Sequence, residues 1–597
     1  MTVAAREVID AGQRLSENRA NSPANPIMLF VVHAHANAEK HSRCLGLPEH
    51  NSAFVRDKFL PVLQELGRVV VAGNPETEVD RIYDESRARG EDCVFVSFSP
   101  PHESAIGLRC PTVCAFAWEF DRIPDEEWDG ERKNDWRNVF ADHGRAITLS
   151  QYAADVVRKT MGQDYPVAAI PIPLADTSNE CTRRNNDSPR SSKTDLDVRG
   201  IVVDSRNCRM TPDSIEWIEP AKSFHIQPWT GETILLTFTQ AHECVAYLDG
   251  FYESESWGTW SGTANPGIVL PYALKGHVNV KIRALGYGPN VDKEIFVSLG
   301  DETRPIRLLG QFDEIYVNFQ AVKTTNILKF SGLDLTPIPR AYDCRSMGIG
   351  IYDIEISGDP GPEEKEGSAP ASVPAYAITL EGIVYAAVCD PLDDLNNWQD
   401  LVSAFCTAFQ DVRDATLVLQ IPYPSLWPLL KKLYSLLQRL SPFDCRVVAL
   451  HGNLDAMEYE KVRRAAHFYV TASKCEGLPV DLVGYMACGK PVIAPCHTAL
   501  ADYVNPSTAL IVDSCLEPCE WPHDTRKIFK TMRHRINWES LVDAYRRSYA
   551  IAQNEPDVYR GMAESAWAQA TRTSSNVAVK EKLQNFFAKE LGRQSPA

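Results

Sequence analysis

The sequence has no apolar run approaching the roughly 18 residues that a membrane-spanning helix needs. Its first twenty residues, MTVAAREVIDAGQRLSENRA, are polar and lack the apolar centre of a secretory signal. A soluble, cytoplasmic chain with no transmembrane segment is therefore expected. Basic residues are in deficit: 61 Lys and Arg stand against 79 Asp and Glu, for a formal charge of −18. That surplus repels phosphate backbones and anionic lipid, so neither nucleic acid nor a membrane surface is an expected partner. A local basic patch for one small anion is compatible with it. Sixteen cysteines form no C-x-x-C pair. Several, such as Cys93, Cys114 and Cys389, sit inside strand-like apolar runs, the pattern of small buried hydrophobes in a reducing compartment rather than of disulfides or a zinc site. G-x-S-x-G, H-E-x-x-H and Walker motifs are missing too, leaving hydrolase, zinc-peptidase and P-loop readings without their signatures. No metal and no cofactor is expected.

What is present is a chain of 597 residues, 44% apolar, enough for three or four domains of roughly 150 residues each. Two stretches rich in Ser, Asn, Pro and charge, 176–198 and 358–374, read as linkers. After an N-terminal extension (1–24), block 25–175 alternates short apolar runs (IMLFVVHAH, DCVFVSFS, PTVCAFAW) with amphipathic stretches such as SAFVRDKFLPVLQEL. Strands alternating with helices predict a parallel, doubly wound sheet, with ligands at the carboxyl ends of its strands. Block 199–357 is instead a succession of strand-like runs parted by Gly, Asp, Asn and Pro, and predicts an all-β sandwich of jelly-roll type. Block 375–535 returns to strand–helix alternation, and 536–597 reads as helices. The expected fold class is α/β: two doubly wound, Rossmann-like domains with an inserted β-sandwich and a helical tail.

The segment from Thr471 to Asp502, TASKCEGLPVDLVGYMACGKPVIAPCHTALAD, holds the most chemistry. A strand ends in a polar loop with Glu476 and Gly477. A helix then begins near Pro479, where a missing N–H costs nothing, and Gly489 stops it. Its free N–H groups offer a seat for phosphate, with Lys474 nearby, unless the loop is an ordinary crossover. A second such loop, Cys496-His497-Thr498, follows the next strand.

Glu476-Gly477-Leu478-Pro479, continued through Met486-Ala487-Cys488-Gly489 to Pro491-Val492-Ile493-Ala494, resembles the donor-binding motif of family 4 glycosyltransferases of GT-B fold. DPLDDLNNWQDLVSAF is similar to that family's Arg-Lys-Asn-Trp entry, and AFAWEFDRIPDEEW, followed by Ser150, to the acceptor domain of a subgroup with a Trp-Glu pair. The resemblance covers most of the chain outside the β block. It implies metal-independent transfer of a sugar from a nucleotide-sugar, with retention, to a glycan or lipid-linked acceptor in surface polysaccharide biosynthesis. Glu476 would contact the donor sugar and phosphates, and amides near Gly477 and Leu478 would hold the diphosphate. Lys474, Asn396, Asn397, His497 and Thr498 fall where further donor contacts are expected. Two positions depart from the pattern: the ribose-holding second Glu falls at Gly484, and the phosphate-binding Arg-Lys pair at Leu395 and Asn396. Each lost contact removes about 1.5–3 kcal/mol unless replaced; Asp481, Lys474 and Lys490 are the candidates to replace them. Without replacement, the same sequence describes a degenerate transferase serving as a glycan-binding or scaffolding subunit.

On the acceptor side, His33, His35 and Asn37 end the first strand and His102 another, each a candidate base or acceptor ligand against a plain loop reading. Glu119 is placed to orient an acceptor hydroxyl, while Trp118 either stacks on a sugar or packs in the core. Trp257 and Trp260, in DGFYESESWGTWSG, are open to the same pair of readings for a glycan bound by the sandwich. His523 with Asp524 is a catalytic pair or, more simply, a turn network.

Overall fold

The computed structural model describes residues 28–34, 52–127, 130–174, 193–198, 201–206, 210–211, 214–215, 227–239, 247–252, 255–337, 345–360, 376–389, 393–421, 427–451, 456–521, 524, 526 and 528–590. The fold is mixed α/β, with two parallel sheets and one large, mainly antiparallel sheet.

The first parallel sheet runs, in spatial order, Arg68–Val71, Met28–Ala34, Asp92–Phe98, Thr112–Phe116, Ala146–Thr148 and Val167–Ala169. Its central strands are buried except at His33 and Asp92, which is why they read as nearly unbroken apolar runs. The second sheet runs Ala509–Val512, Val492–Pro495, Phe468–Val470, Ile383–Val388, Ala415–Ile421 and Arg446–His451. Its order reverses direction between Phe468–Val470 and Ile383–Val388, the point at which a doubly wound sheet opens a crevice at its carboxyl edge.

Residues 194–204, read in the sequence as the end of a linker and the start of the all-β block, belong to the second sheet's surroundings instead. Thr194–Val198 pairs antiparallel with Tyr376–Leu380, and Ile201–Asp204 adds antiparallel to the free edge of Arg446–His451. The physical reason is a buried ion pair: Arg446 meets Asp204 at 2.6 Å, with side chains only 8% and 6% exposed.

The antiparallel sheet orders Ile234–Thr237, Ile349–Asp359, Gly267–Gly286, Asp313–Ser331, Glu294–Leu299 and Glu302–Arg307. Alternate residues such as Val278, Val280 and Ile282 point into its core, and Lys281 and Arg283 point away.

Three helices follow the second sheet. Trp538–Asn554 packs on Trp398–Ala408, where the Trp538 indole N–H donates to Ser403 at 3.0 Å. Asn576–Glu590 returns to the first sheet, with Phe587 packed on Phe30 (5.2 Å between ring centres) and Lys580 paired to Glu65 of helix Ser52–Leu66 at 2.8 Å. One feature has no counterpart in the sequence reading: Ser514–Glu520 and Lys530–Ile536 form a hairpin that reaches the first sheet. There Asp121 accepts from the Thr531 hydroxyl (2.9 Å) and the Met532 N–H (3.0 Å), and Trp521 packs edge-on against Trp118. No helix among the described residues is long and apolar enough to cross a membrane.

Truncating Arg446→Ala strands Asp204 as a buried, uncompensated charge, so a loss of about 3–5 kcal/mol in denaturant unfolding is expected. Pairing it with Asp204→Leu should return most of that loss, and a double variant as weak as the single one would show that the ion pair is not what anchors the added strand.

Candidate functional site

The crevice of the second sheet is lined by the loop after Ile383–Val388 and the loop after Phe468–Val470. They are stitched together where the Lys474 N–H donates to the Leu395 carbonyl at 2.7 Å. The helix expected after Pro479 spans Val480–Ala487, with Pro479 as its N-cap and Gly489 at φ +67° closing it. A β-branched or bulky residue at position 489 would be strained by that φ.

Glu476 is seated by its neighbours. Its N–H donates to the Thr498 hydroxyl (3.1 Å), its carbonyl accepts from Ala499 N–H (3.0 Å), and its Oε1 accepts the Leu478 N–H at 3.3 Å. The Leu478 amide, expected as a free phosphate donor, is therefore already engaged by the Glu476 carboxyl. Across the crevice, Trp118 and Glu119 of the first sheet press against Gly477. A Cβ at Gly477 would lie 2.9 Å from Glu119 Oε2 and 3.4 Å from the Trp118 backbone, so any larger residue there would push the Glu119 carboxyl aside.

The site thus joins Glu476, Gly477 and Glu119 from two sheets. Burial raises the Glu476 pKa to about 8, with the charges of Glu119, Asp481 and Asp393 adding to it and the Leu478 N–H opposing. Burial also raises Glu119 to about 7, and Asp393 adds to that shift. Near neutral pH this pair of carboxyls retains protons that ordinary glutamates have lost.

The nearest cations approach from one side. Lys474 reaches the solvent-exposed Asp394 at 3.4 Å, and Arg533, on the hairpin, reaches it at 2.8 Å while also pairing with Glu517 at 2.7 Å. Burial works against the charge of Asp394, but Lys474 and Arg533 outweigh it and hold its carboxyl below the usual range. The Asn396 amide donates to the Val388 carbonyl at 3.3 Å. Asn397 holds a left-handed φ of +56° at the start of helix Trp398–Ala408, and its Nδ2 is buried with no hydrogen-bond partner among the described residues. In the second loop, His497 bonds the Thr498 hydroxyl (3.1 Å) and stacks at 3.9 Å on His534. Burial, then the neighbouring His534, lowers the His497 pKa to about 3, so its imidazole stays neutral.

Several expectations are corrected. Trp118 is 5% exposed, packs on Trp136, Phe120 and Trp521, and donates its indole N–H to the Arg122 carbonyl; no face is left for a sugar. Lys490 is buried and donates to the Arg464 carbonyl at 3.0 Å, which removes it as a replacement cation. Ser150 caps helix Gln151–Met161 by accepting from Ala153 N–H. Asp524 accepts from the backbone of Arg526, Ile528 and Phe529, a turn network; His523 lies outside the described residues. His35 and Asn37 also lie outside them. His33 donates its Nδ1–H to the Ala72 carbonyl at 2.9 Å. His102 accepts the Trp136 indole N–H at 3.2 Å and stacks on that ring. Trp257 and Trp260 sit on the antiparallel sheet, in contact with each other.

Sequence reasoning missed Arg533, His534 and Arg463. Arg533 and His534 belong to the strand KTMRHRI, where three consecutive basic residues, Arg533 to Arg535, were the available signal. Arg463 gave none. A Cβ at Gly484 would meet its guanidinium at 2.8 Å, so a cation from another helix stands where the resemblance implies a second Glu. Arg463 lies over Tyr459, whose hydroxyl donates to Asp481 at 3.1 Å.

A domain of unknown function (DUF7024) matches residues 225–358, the antiparallel sheet alone. No curated protein matches the chain. Among solved structures, the chain is similar to a glycosyltransferase from Rickettsia africae (9% identity, TM-score 0.42, 96% of this chain and 100% of that one). It is also similar to HepE from Anabaena in complex with UDP and glucose (15%, TM-score 0.26, 36% and 49%) and to sucrose-phosphate synthase from Thermosynechococcus elongatus (19%, TM-score 0.25, 36% and 46%). The chain spans about half the length of the latter two. At these values none of the three bears on the chemistry of this chain.

The carboxyl pair has a consequence for stability. Unfolded glutamates titrate near about 4.3, so the folded chain holds more protons between about pH 5 and pH 8 and loses stability as pH rises through that window. Glu476→Gln cannot ionise there. Its unfolding midpoint is expected to drop less between about pH 6 and pH 9 than that of the wild type, and equal drops would place the titration elsewhere.

Proposed function

We propose that the chain is a glycosyltransferase of two-domain GT-B layout. It moves a sugar from a nucleotide-sugar to a glycan or lipid-linked acceptor in surface polysaccharide biosynthesis, with retention and without a metal. The observation that carries this reading is the pairing of Glu476 with Glu119 across Gly477, at the point where the second sheet opens its crevice. At neutral pH a protonated Glu476 donates a hydrogen bond to donor oxygens instead of repelling them. Glu119, raised to about 7, is matched to accept the acceptor hydroxyl's proton as that oxygen bonds the anomeric carbon on the same face from which the diphosphate departs, which keeps the configuration. Stabilising the departing diphosphate is the main electrostatic task, and Lys474 and Arg533 supply the cations missing at Leu395 and Asn396 once the exposed Asp394 swings aside.

The alternative, a degenerate transferase that binds glycan or scaffolds other proteins, is favoured by Arg463 standing where the ribose carboxylate belongs.

Thermal unfolding against UDP, GDP, ADP and their sugar conjugates tests the first reading. A ligand at 100 times its Kd stabilises by about 2.7 kcal/mol. A shift with one nucleotide is expected, weakened roughly tenfold to a hundredfold in Kd by Arg533→Ala or Lys474→Ala and strengthened by Asp394→Asn. Turnover of the stabilising conjugate, lost in Glu476→Ala, completes the case. No shift with any nucleotide, or binding without turnover, moves the conclusion to the degenerate form.

A further inference from the structure

The antiparallel sheet carries five aromatic side chains that its own core does not use. Tyr287, Trp260, Trp257, Phe312 and Tyr352 form a continuous run, with successive ring centres 5.5, 4.9, 5.6 and 6.1 Å apart and every pair tilted or edge-on. None belongs to the apolar cluster of this sheet, which is built from residues such as Ile282, Ala284, Ile349, Ile351 and Ile354 on the same strands. The run lies on the opposite face. None of the five is buried, and Phe312, near its middle, is 40% exposed.

The backbone has been cleared to seat them. Gly350 lies beneath both indoles: a Cβ there would come within 3.0 Å of the Trp257 ring and 3.0 Å of the Trp260 ring. Two large rings are thus laid on a sheet surface at a point where any side chain would lift them off. That arrangement adds little to the core and spends aromatic surface on a solvent-facing site, where a partner is the usual reason.

The polar groups along the run identify the partner's chemistry. Glu255 accepts the Trp257 indole N–H at 2.9 Å and pairs with Arg345 at 2.7 Å. Asp353 pairs with Arg283, whose guanidinium lies 3.9 Å over the Tyr352 ring, and Lys281 pairs with Glu314 at 2.8 Å. Each of these three cations is matched by a carboxylate, so none of the three is left to hold an anionic ligand. A protein partner prefers an interface centre depleted of charge. Here charged pairs are interleaved with the rings. A sugar ring has a C–H face that packs on an aromatic ring and a rim of hydroxyls that bond carboxylate and guanidinium. We infer that the run from Tyr287 to Tyr352 is a binding platform for a neutral hexose polymer. It goes beyond the transferase reading and does not depend on it, because what is measured is retention of a polymer and not transfer.

The test is affinity electrophoresis of the full chain through native gels containing hydroxyethylcellulose, amylopectin or galactomannan. Retardation by at least one polymer is expected. It should weaken about tenfold or more in Trp257→Ala and in Phe312→Ala. The Phe312 variant removes a half-exposed ring, and an unchanged unfolding midpoint would show that it is folded. Retardation should persist in Glu476→Ala, which separates this surface from the crevice. The inference is overturned if none of the three polymers retards the wild type, or if both aromatic variants are retarded as the wild type is. Loss of retardation in Glu476→Ala would place the polymer in the crevice. A concentration-dependent dimer abolished by Phe312→Ala would assign the face to a second copy of the chain.

Discussion

Much of the structure depends on one close approach, that of the Trp118–Glu119 segment of the first sheet to the bare backbone of Gly477 in the second. Two carboxyl groups are brought together there in a partly desolvated seam, an arrangement unfavourable in itself because burial and like charge both oppose ionisation. The seam is held by contacts on either side of it. Asp121 accepts two hydrogen bonds from the hairpin strand Lys530–Ile536, and the Gln151 N–H donates to Asp502 at 2.9 Å. Farther out, Phe587 and Lys580 return the last helix to the first sheet. These contacts come from segments distant in sequence, and together they outweigh the unfavourable pairing at the centre.

The same contacts explain why Trp118 is buried. Its ring is clamped between Trp136, which opens the helix Trp136–His143, and Trp521 beside the hairpin, so it serves the seam and positions Glu119 through the backbone they share. An aromatic residue beside a carboxylate at a strand end invites a sugar-stacking reading. Here the covering ring comes from roughly four hundred residues away in sequence, a distance at which local pattern carries no information.

What was legible in the sequence is what local physics fixes. Apolar runs alternating with amphipathic stretches gave the parallel sheets, because strands buried on both faces need uninterrupted Val, Ile, Leu and Ala. Pro479 and Gly489 marked the helix Val480–Ala487 to within a residue, since one lacks an N–H and the other must adopt positive φ. The loops holding Glu476, Lys474, His497 and Thr498 could be placed at the carboxyl edge for the same reason. What was hidden depends on long-range pairing. The edge strand Ile201–Asp204 depends on partners more than two hundred residues away, Arg446 foremost, and the hairpin of Arg533 alternates polar and apolar residues too weakly to stand out from a loop. Arg463 was invisible because its effect is steric and electrostatic on a residue of another helix.

The electrostatics of the crevice form an inverted version of an anion site. Where a diphosphate would be expected to meet fixed cations, the loop after Ile383–Val388 offers Asp393 and Asp394, and the facing loop offers Glu476. Two features soften the inversion. The buried carboxyls keep protons near neutral pH and so present O–H groups in place of negative charge. The exposed Asp394 occupies Lys474 and Arg533 reversibly, because an ion pair open to water is worth little and yields to a stronger anion. Arg463 extends the inversion one helical turn deeper. Burial opposes its charge, but the neighbouring Asp481 favours it and it stays a cation. On the proposed reading, a ligand brings its negative charge toward Lys474 and Arg533 and its hydroxyls toward the protonated glutamates.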